Sequence, residues 1–214
     1  MVIDVFFCES AGEGRRPPLW LADIRQQMAK LCYMRWILED ANVKCLTPEI
    51  VKSAGYNAPF QKSRRQYAED HATSEFYVVV DDDILIQSGP VVGPVVDILR
   101  REPTIGIIAL HNSCSTRPPT GKYITAEVEQ SHAVGGCRFM RKGILPEWPP
   151  MVPDNPYQYD VQHGMAIEAA GYMSCYTTRG TIGMLHLGYT YSMTWSGERH
   201  LQPPPRQQTV VDAR

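Results

Sequence analysis

Two kinds of apolar pattern alternate along the first 110 residues of the chain. Short unbroken runs come in one kind: Val2 to Phe7, "VKCL" at 43–46, Phe76 to Val80 and "TIGIIAL" at 104–110. Their β-branched and aromatic content predicts strands, and the lack of polar alternation in "YVVV" and "TIGIIAL" predicts central, buried ones. The other kind is helical. Leu21, Ile24, Met28, Leu31 and Leu38 recur at steps of three, four and seven, which places them on one face of a helix from about Leu19 to Asp40. A second helix is expected over Gln61 to Ala72 and a third from near Pro94, because proline suits a first helical turn. Residues 47–60 read as loop with weak helix character. Strands alternating with helices argue for a mostly parallel central sheet flanked by helices.

The later half adds two β segments, "GKYITAEVEQ" and "HAVGGCRFMRK", which imply a mixed edge. The segment "DVQHGMAIEAAGY" predicts a helix that stops at Gly171, and "SCYTT" a last short strand. Five prolines between Pro146 and Pro156 require an ordered loop. The chain has 214 residues and 43% hydrophobic content, enough for one sizeable core. The expected organisation is a single α/β domain over residues 1–200 and a Pro-rich tail over 201–214.

Composition narrows the partners. With 21 basic and 23 acidic residues the net charge is −2, so no global basic field advertises nucleic acid or an anionic membrane. The start, "MVIDVFFCES", lacks a signal peptide's charged opening and long apolar stretch, and no window approaches the roughly 20 apolar residues of a membrane span. Cys8, Cys32, Cys45, Cys114, Cys137 and Cys175 are scattered without a C-x-x-C spacing, which suits small hydrophobes in a reducing compartment. A cytoplasmic protein with no membrane attachment is expected.

The chemistry concentrates where "YVVV" ends. Ligands of an open α/β sheet bind outside the carboxyl ends of its strands, and Asp81, Asp82 and Asp83 emerge there. In extended chain Asp81 and Asp83 face one way and Asp82 the other. Adjacent negative charges need relief. A hard cation such as Mg2+ or Mn2+ supplies it, being an oxygen seeker; so does solvent with a basic neighbour, in a plain acidic turn.

Three segments in order resemble one family. "RRQYAEDHATSEFYVVVDDDI" is similar to the Arg-Asn-x-Gly-like helix, apolar strand and Asp-x-Asp motif of nucleotide-sugar glycosyltransferases with the GT-A fold, the family 2 type in particular. Arg65, Ala68 and Ala72 fall in register there, and Gln66 stands where the family has asparagine. "GGCRFMRKGIL" resembles its acceptor-side strand, and "YDVQHGMAIEAAGY" the segment bearing its catalytic base. Tyr159 and Gln162 replace two acids usual in that last segment.

The resemblance covers about Met1 to His186. It implies a Rossmann-like GT-A domain and a metal-dependent transfer of sugar from a nucleotide-diphosphate sugar to an acceptor hydroxyl. Asp83, assisted by Asp81 and completed by His186, would hold Mn2+ or Mg2+. Asp82 would lie near the donor's ribose or sugar, and Arg65 would contact a phosphate or sit in a structural salt bridge. Gly135 and Gly136 would let backbone approach a sugar, or simply form a bend. Asp160 would be the base of an inverting displacement, or an ordinary helix N-cap. His163, one turn later, would orient that carboxylate, touch acceptor or serve the helix alone.

The acceptor is open. A hydroxylated base in DNA, as used by small phage enzymes of this fold, is one class, with Arg138, Arg141, Lys142, Arg199, His200 and Arg206 as a phosphate-contacting surface or a solvated charged face. Trp148 and Trp195 would stack on sugar rings or pack loops. Two rivals stand beside the glycosyltransferase. One is a sugar nucleotidyltransferase, although "FFCESAGEGRRPP" lacks the expected lysine-bearing pattern. The other is a degenerate, non-catalytic sugar-binding protein.

Overall fold

The computed structural model describes residues 3–8, 27, 29–36, 39, 41–58, 60–86, 90–112, 121–131, 135–144, 158–178 and 182–186. The expected strands form: β1 is Asp4–Cys8, β2 Asn42–Leu46, β3 Phe76–Asp81, and β5 Ile105–Ala109, with short β4 (Ile84–Ile86) and β6 (His111–Asn112) beside them. Three more follow as β7 (Val128–Gln130), β8 (Cys137–Arg141) and β9 (Met173–Thr177), and a tenth, β10, spans Gly183–His186. Helical residues 29–36 form α1. The others are α2 (Pro48–Ser53), α3 (Phe60–His71), α4 (Val92–Arg101) and α5 (Gln158–Ala169).

Seven strands make the main sheet in the order β2-β1-β3-β8-β5-β9-β7. Strands β2, β1, β3, β5 and β9 run parallel, while β7 and β8 run against their neighbours. The antiparallel β7 lies at the edge, as expected, but β8 is inserted in the middle, between β3 and β5.

Strand parity builds a core on each face. Phe76, Val78 and Val80 point with Val5, Phe7 and Phe139 toward Cys32 and Trp36 of α1 and Val95, Ile98 and Leu99 of α4. Tyr77 and Val79 point the other way, with Phe6, Cys8 and Met140, toward Val51 of α2, Ala68 of α3 and Ile167 of α5. The run "FYVVV" is continuous in hydrophobicity because both faces are covered.

Several expectations shift. Helix α1 buries Cys32 and Trp36, whereas Leu31 is 58% exposed, so the apolar face is rotated from the predicted one. Trp36 fills the space beside Phe139, ring centroids 6.0 Å apart, and that fit decides the rotation. Residues expected to be loop at 47–60 include α2, capped by Thr47 Oγ1, which accepts from Ile50 N at 3.3 Å. The segment "GKYITAEVEQ" supplies only β7 and a bridge from Tyr123 to Glu129. Met173–Thr177 is not the last strand, since β10 follows it. Gly171 ends α5 as expected, with φ 87° in the region glycine favours.

Cys8, Cys32, Cys137 and Cys175 are buried and Cys45 is exposed, and none of the five is in a disulfide. Burial pushes the Cys8 and Cys32 thiols up to about 11 and Cys175 to about 12, so they pack as apolar groups. Among the described residues no helix is long and apolar enough to cross a membrane. The Pro-rich tail, Cys114, Trp148, Trp195, Arg199, His200 and Arg206 lie outside the described residues.

Candidate active site

The site is assembled at the carboxyl ends of the parallel strands. Asp81 is the last residue of β3, paired across from Cys8, and its N–H donates to Gly136 O at 3.0 Å. Continuing the parity of Tyr77 and Val79, its side chain turns to the face covered by α3. There Arg64 meets it, Nη1 to Oδ1 at 2.6 Å, with the guanidinium side chain 2% and the carboxylate side chain 20% exposed.

The strand stops at that point. Asp82 and Asp83 form the turn into β4 and are half-buried, so the extended-chain alternation expected of the three aspartates does not hold. Turn geometry, not pleating, directs the second and third carboxylates.

The small sheet, in the order β4-β10-β6, lies beside this turn. Its register sets His186 opposite Ile84, the residue after Asp83. The imidazole itself lies outside the described residues. Gly136 closes the joint between the two sheets. Its φ is 75°, and a Cβ there would come within 2.7 Å of Met184 Cε and 2.8 Å of Ile84 Cδ1. The close approach that Gly136 permits is therefore to protein side chains of β4 and β10. Gly135 N donates to Tyr176 Oη at 3.1 Å.

Helix α5 leads into β9, which runs parallel to β5, so the helix returns along the sheet and begins at the same carboxyl edge. Asp160 is its third residue and stands inside the first turn, three positions beyond the N-cap. His163, one turn on, is fully buried. Burial first, then the positive charges of Arg65 and Arg138, holds its imidazole well below the ordinary histidine value, so the ring is neutral at neutral pH.

Arg64, Arg65 and Arg138 are all buried on this side of the sheet, and all three raise the positive potential at Cys8. Arg65, expected to touch donor or to serve as a salt-bridge residue, has no exposed surface. Its neighbour Arg64 reaches Asp81. Arg64 could have been found in the sequence: it stands at steps of four with Ala68 and Ala72, both buried, and a cation at the end of a buried stripe needs an anion.

The expected basic surface of Arg138, Arg141 and Lys142 is not formed. Arg138 is buried and pairs with Val79 and Ala109, whereas Arg141 pairs with Phe76 at the opposite end of β8. Arg141 lies over the Phe76 ring at 5.0 Å, donates to Glu75 Oε1 at 3.2 Å and to Leu99 O. Lys142 donates to Ala72 O. These bonds hold the amino end of the sheet together.

Among the described residues no three of Asp, Glu, His or Cys gather into a cation cage. The donor set at the edge is nonetheless of the right chemistry for a hard divalent ion: partly exposed carboxylates on a turn, with a histidine in register beside them.

No protein-family model matches the sequence, and no curated protein matches it either. Solved structures do. TarS of S. aureus, residues 1–349, superposes with a TM-score of 0.53 at 12% identity, over 98% of this chain and 68% of that one. The same fragment in complex with UDP-GlcNAc gives 0.50 at 11%, over 85% of this chain and 57% of that one. A protein of Bacillus anthracis assigned as a glucose-1-phosphate thymidylyltransferase, in complex with a sucrose, gives 0.52 at 10%, over 92% and 96%. The chain has a GT-A-like fold, shared by glycosyltransferases and nucleotidyltransferases.

Proposed function

We propose that the protein is a metal-dependent glycosyltransferase that moves a sugar from a nucleotide-diphosphate sugar to an acceptor hydroxyl. The observation that carries this reading is the register of β10 on β4, which brings His186 beside the Asp82–Asp83 turn at the carboxyl edge. TarS, of like fold, is known in complex with a nucleotide sugar, which supports the same class of donor here.

Asp83 and His186 would hold Mn2+ or Mg2+, with Asp81 behind them. When bound, the cation would offset the charge that builds on the departing diphosphate. Asp82 would accept from a donor hydroxyl. Arg64, Arg65 and Arg138 add fixed positive charge behind the strand ends, and fixed charge in a dry site stabilises a developing anion without reorganisation. Arg65, being buried, would act through this field and through packing.

Asp160 would take the proton of the acceptor hydroxyl as its oxygen attacks the anomeric carbon, and a single displacement inverts the configuration there. His163 lies one turn behind and is held neutral, so it adds no charge to compete for that proton. A hydroxylated base in DNA remains one acceptor class among hydroxyl compounds, without the Arg138–Lys142 surface to favour it.

A sugar nucleotidyltransferase is the second reading, favoured by the superposition on the Bacillus anthracis protein over 96% of that chain. Calorimetry with UDP, GDP, CDP, dTDP and ADP, each with and without Mn2+, tests the first. Tight binding of one diphosphate only with Mn2+ is the expected result; silence across the panel overturns it. Release of pyrophosphate from a nucleoside triphosphate and a sugar 1-phosphate would identify the nucleotidyltransferase instead.

A further inference from the structure

We infer that Thr177 is a positioning residue whose buried hydroxyl anchors the small sheet on the main one and thereby sets His186 against the Asp82–Asp83 turn. The inference rests on the metal-dependent reading above and gives a role to a residue that no motif in the sequence singles out.

Thr177 ends β9 at the carboxyl edge of the main sheet and is 1% exposed. Its Oγ1 accepts from His111 N at 2.8 Å and donates to Ile182 O at 2.5 Å. His111 opens β6, and Ile182 directly precedes β10. Those two strands are in register at the same point, with Gly183 opposite His111. One side chain of the main sheet therefore holds the start of two strands of the small one. A hydroxyl both gives and accepts, so a single atom grips an N–H and a C=O together.

Gly136 fixes the other side of β10, because a Cβ there would meet Met184 Cε at 2.7 Å and Ile84 Cδ1 of β4 at 2.8 Å. From these two supports the register runs forward: Met184 faces Ile86, Leu185 faces Leu85 and His186 faces Ile84. A strand of four residues has little pairing energy of its own, so its anchor decides where its far end lies. Thr177 thus stands behind His186 as the group that orients a metal ligand.

Thr177→Val keeps the shape of the side chain and removes both hydrogen bonds; Thr177→Ser keeps the hydroxyl. Two readouts on the full chain test them. In hydrogen exchange without ligand, Thr177→Val is expected to speed exchange of the Gly183–His186 amides by about tenfold, while Phe76–Val80 stays as slow as in wild type. Mn2+ titration followed by electron paramagnetic resonance, alone and with each of UDP, GDP, CDP, dTDP and ADP, is the second. There Thr177→Val is expected to weaken Mn2+ by about 10- to 100-fold, the usual effect of losing a group that orients a ligand. Thr177→Ser should stay near wild type in both.

Unchanged exchange in β10, or unchanged Mn2+ affinity, in a folded Thr177→Val variant overturns the inference and leaves the transferase reading standing. So does a Thr177→Ser variant that behaves like Thr177→Val. If Thr177→Val does not fold, Gly136→Ala displaces the same strand without removing a hydrogen bond, and wild-type Mn2+ affinity in that variant overturns the inference. A wild type that takes up no Mn2+ under any of these conditions sinks the transferase reading and the metal role of Thr177 together.

Discussion

The two ends of β1 and β3 carry the same residue type in opposite circumstances. At the amino end, Asp4 is 1% exposed and fully engaged. It accepts from Asn42 Nδ2 at 2.6 Å, Thr73 N at 2.6 Å and Thr73 Oγ1 at 2.8 Å, and pairs with Lys44 Nζ at 3.1 Å. Burial alone would raise its pKa, but these donors outweigh burial and hold it below the ordinary value. At the carboxyl end, Asp81 meets the buried Arg64 guanidinium and stays one-fifth exposed, and Asp82 and Asp83 stand half-buried on a turn. A carboxylate surrounded by its own chain's donors ties three segments together. At the carboxyl end the carboxylates stay partly open to solvent.

Substitutions at the two edges should therefore separate activity from stability. The largest effect is expected at the carboxyl edge, where Asp160→Asn slows sugar transfer by about 10^2- to 10^4-fold, the usual worth of a general base. Donor binding measured by calorimetry should survive. A variant that transfers at the wild-type rate would leave Asp160 with only its place in the first turn of α5.

The second test crosses the edges. Asp4→Ala strands four donors at once and should cost about 3 kcal/mol of stability in urea unfolding, with metal-dependent donor affinity unchanged in the folded fraction. Asp83→Ala should do the reverse: loss of metal-dependent donor binding, and a stability change within about 0.5 kcal/mol. If both variants lost stability alike and neither lost ligand, the contrast between the edges would collapse.

The smallest effect concerns His163. Its folded pKa is depressed from the usual 6.5, so the unfolded chain takes up a proton below that pH that the folded protein refuses. Stability from this group is intact above pH 6.5 and falls as the pH drops below it, by about 1.4 kcal/mol for each pH unit while the buried ring stays neutral. His163→Gln should flatten urea-unfolding stability between pH 6.5 and 5.5. Asp4, whose pKa is also lowered, contributes above its ordinary 3.8 and loses that contribution only in stronger acid. An equal slope in wild type and His163→Gln would mean that the ring titrates normally.

Much of the fold was legible because its signals are local. The run Phe76 to Val80 could only be a strand covered on both faces, and the helix to Gly171 carried its own stop. The rotation of α1 was not legible, since "LCYMRW" offers apolar residues all round and only the fit of Trp36 against Phe139 chooses among them. Nor was β10. Four residues of "GMLH" have no strong period, and they become a strand through pairing with β4 and β6.

The candidate site divides in the same way. The sequence alone placed three aspartates after a buried strand and a histidine and a carboxylate further on, because residue type and order are written in the chain. Which carboxylate meets which charge was decided by tertiary structure. The parity of β3 turns Asp81 toward α3, where the buried stripe of Arg64, Ala68 and Ala72 ends in a guanidinium. The central insertion of β8 buries Arg138 and sends Arg141 to the far edge. Local propensity acts over a few residues. The partner of a buried charge is set by strand order and face, and these exist only once distant segments have packed.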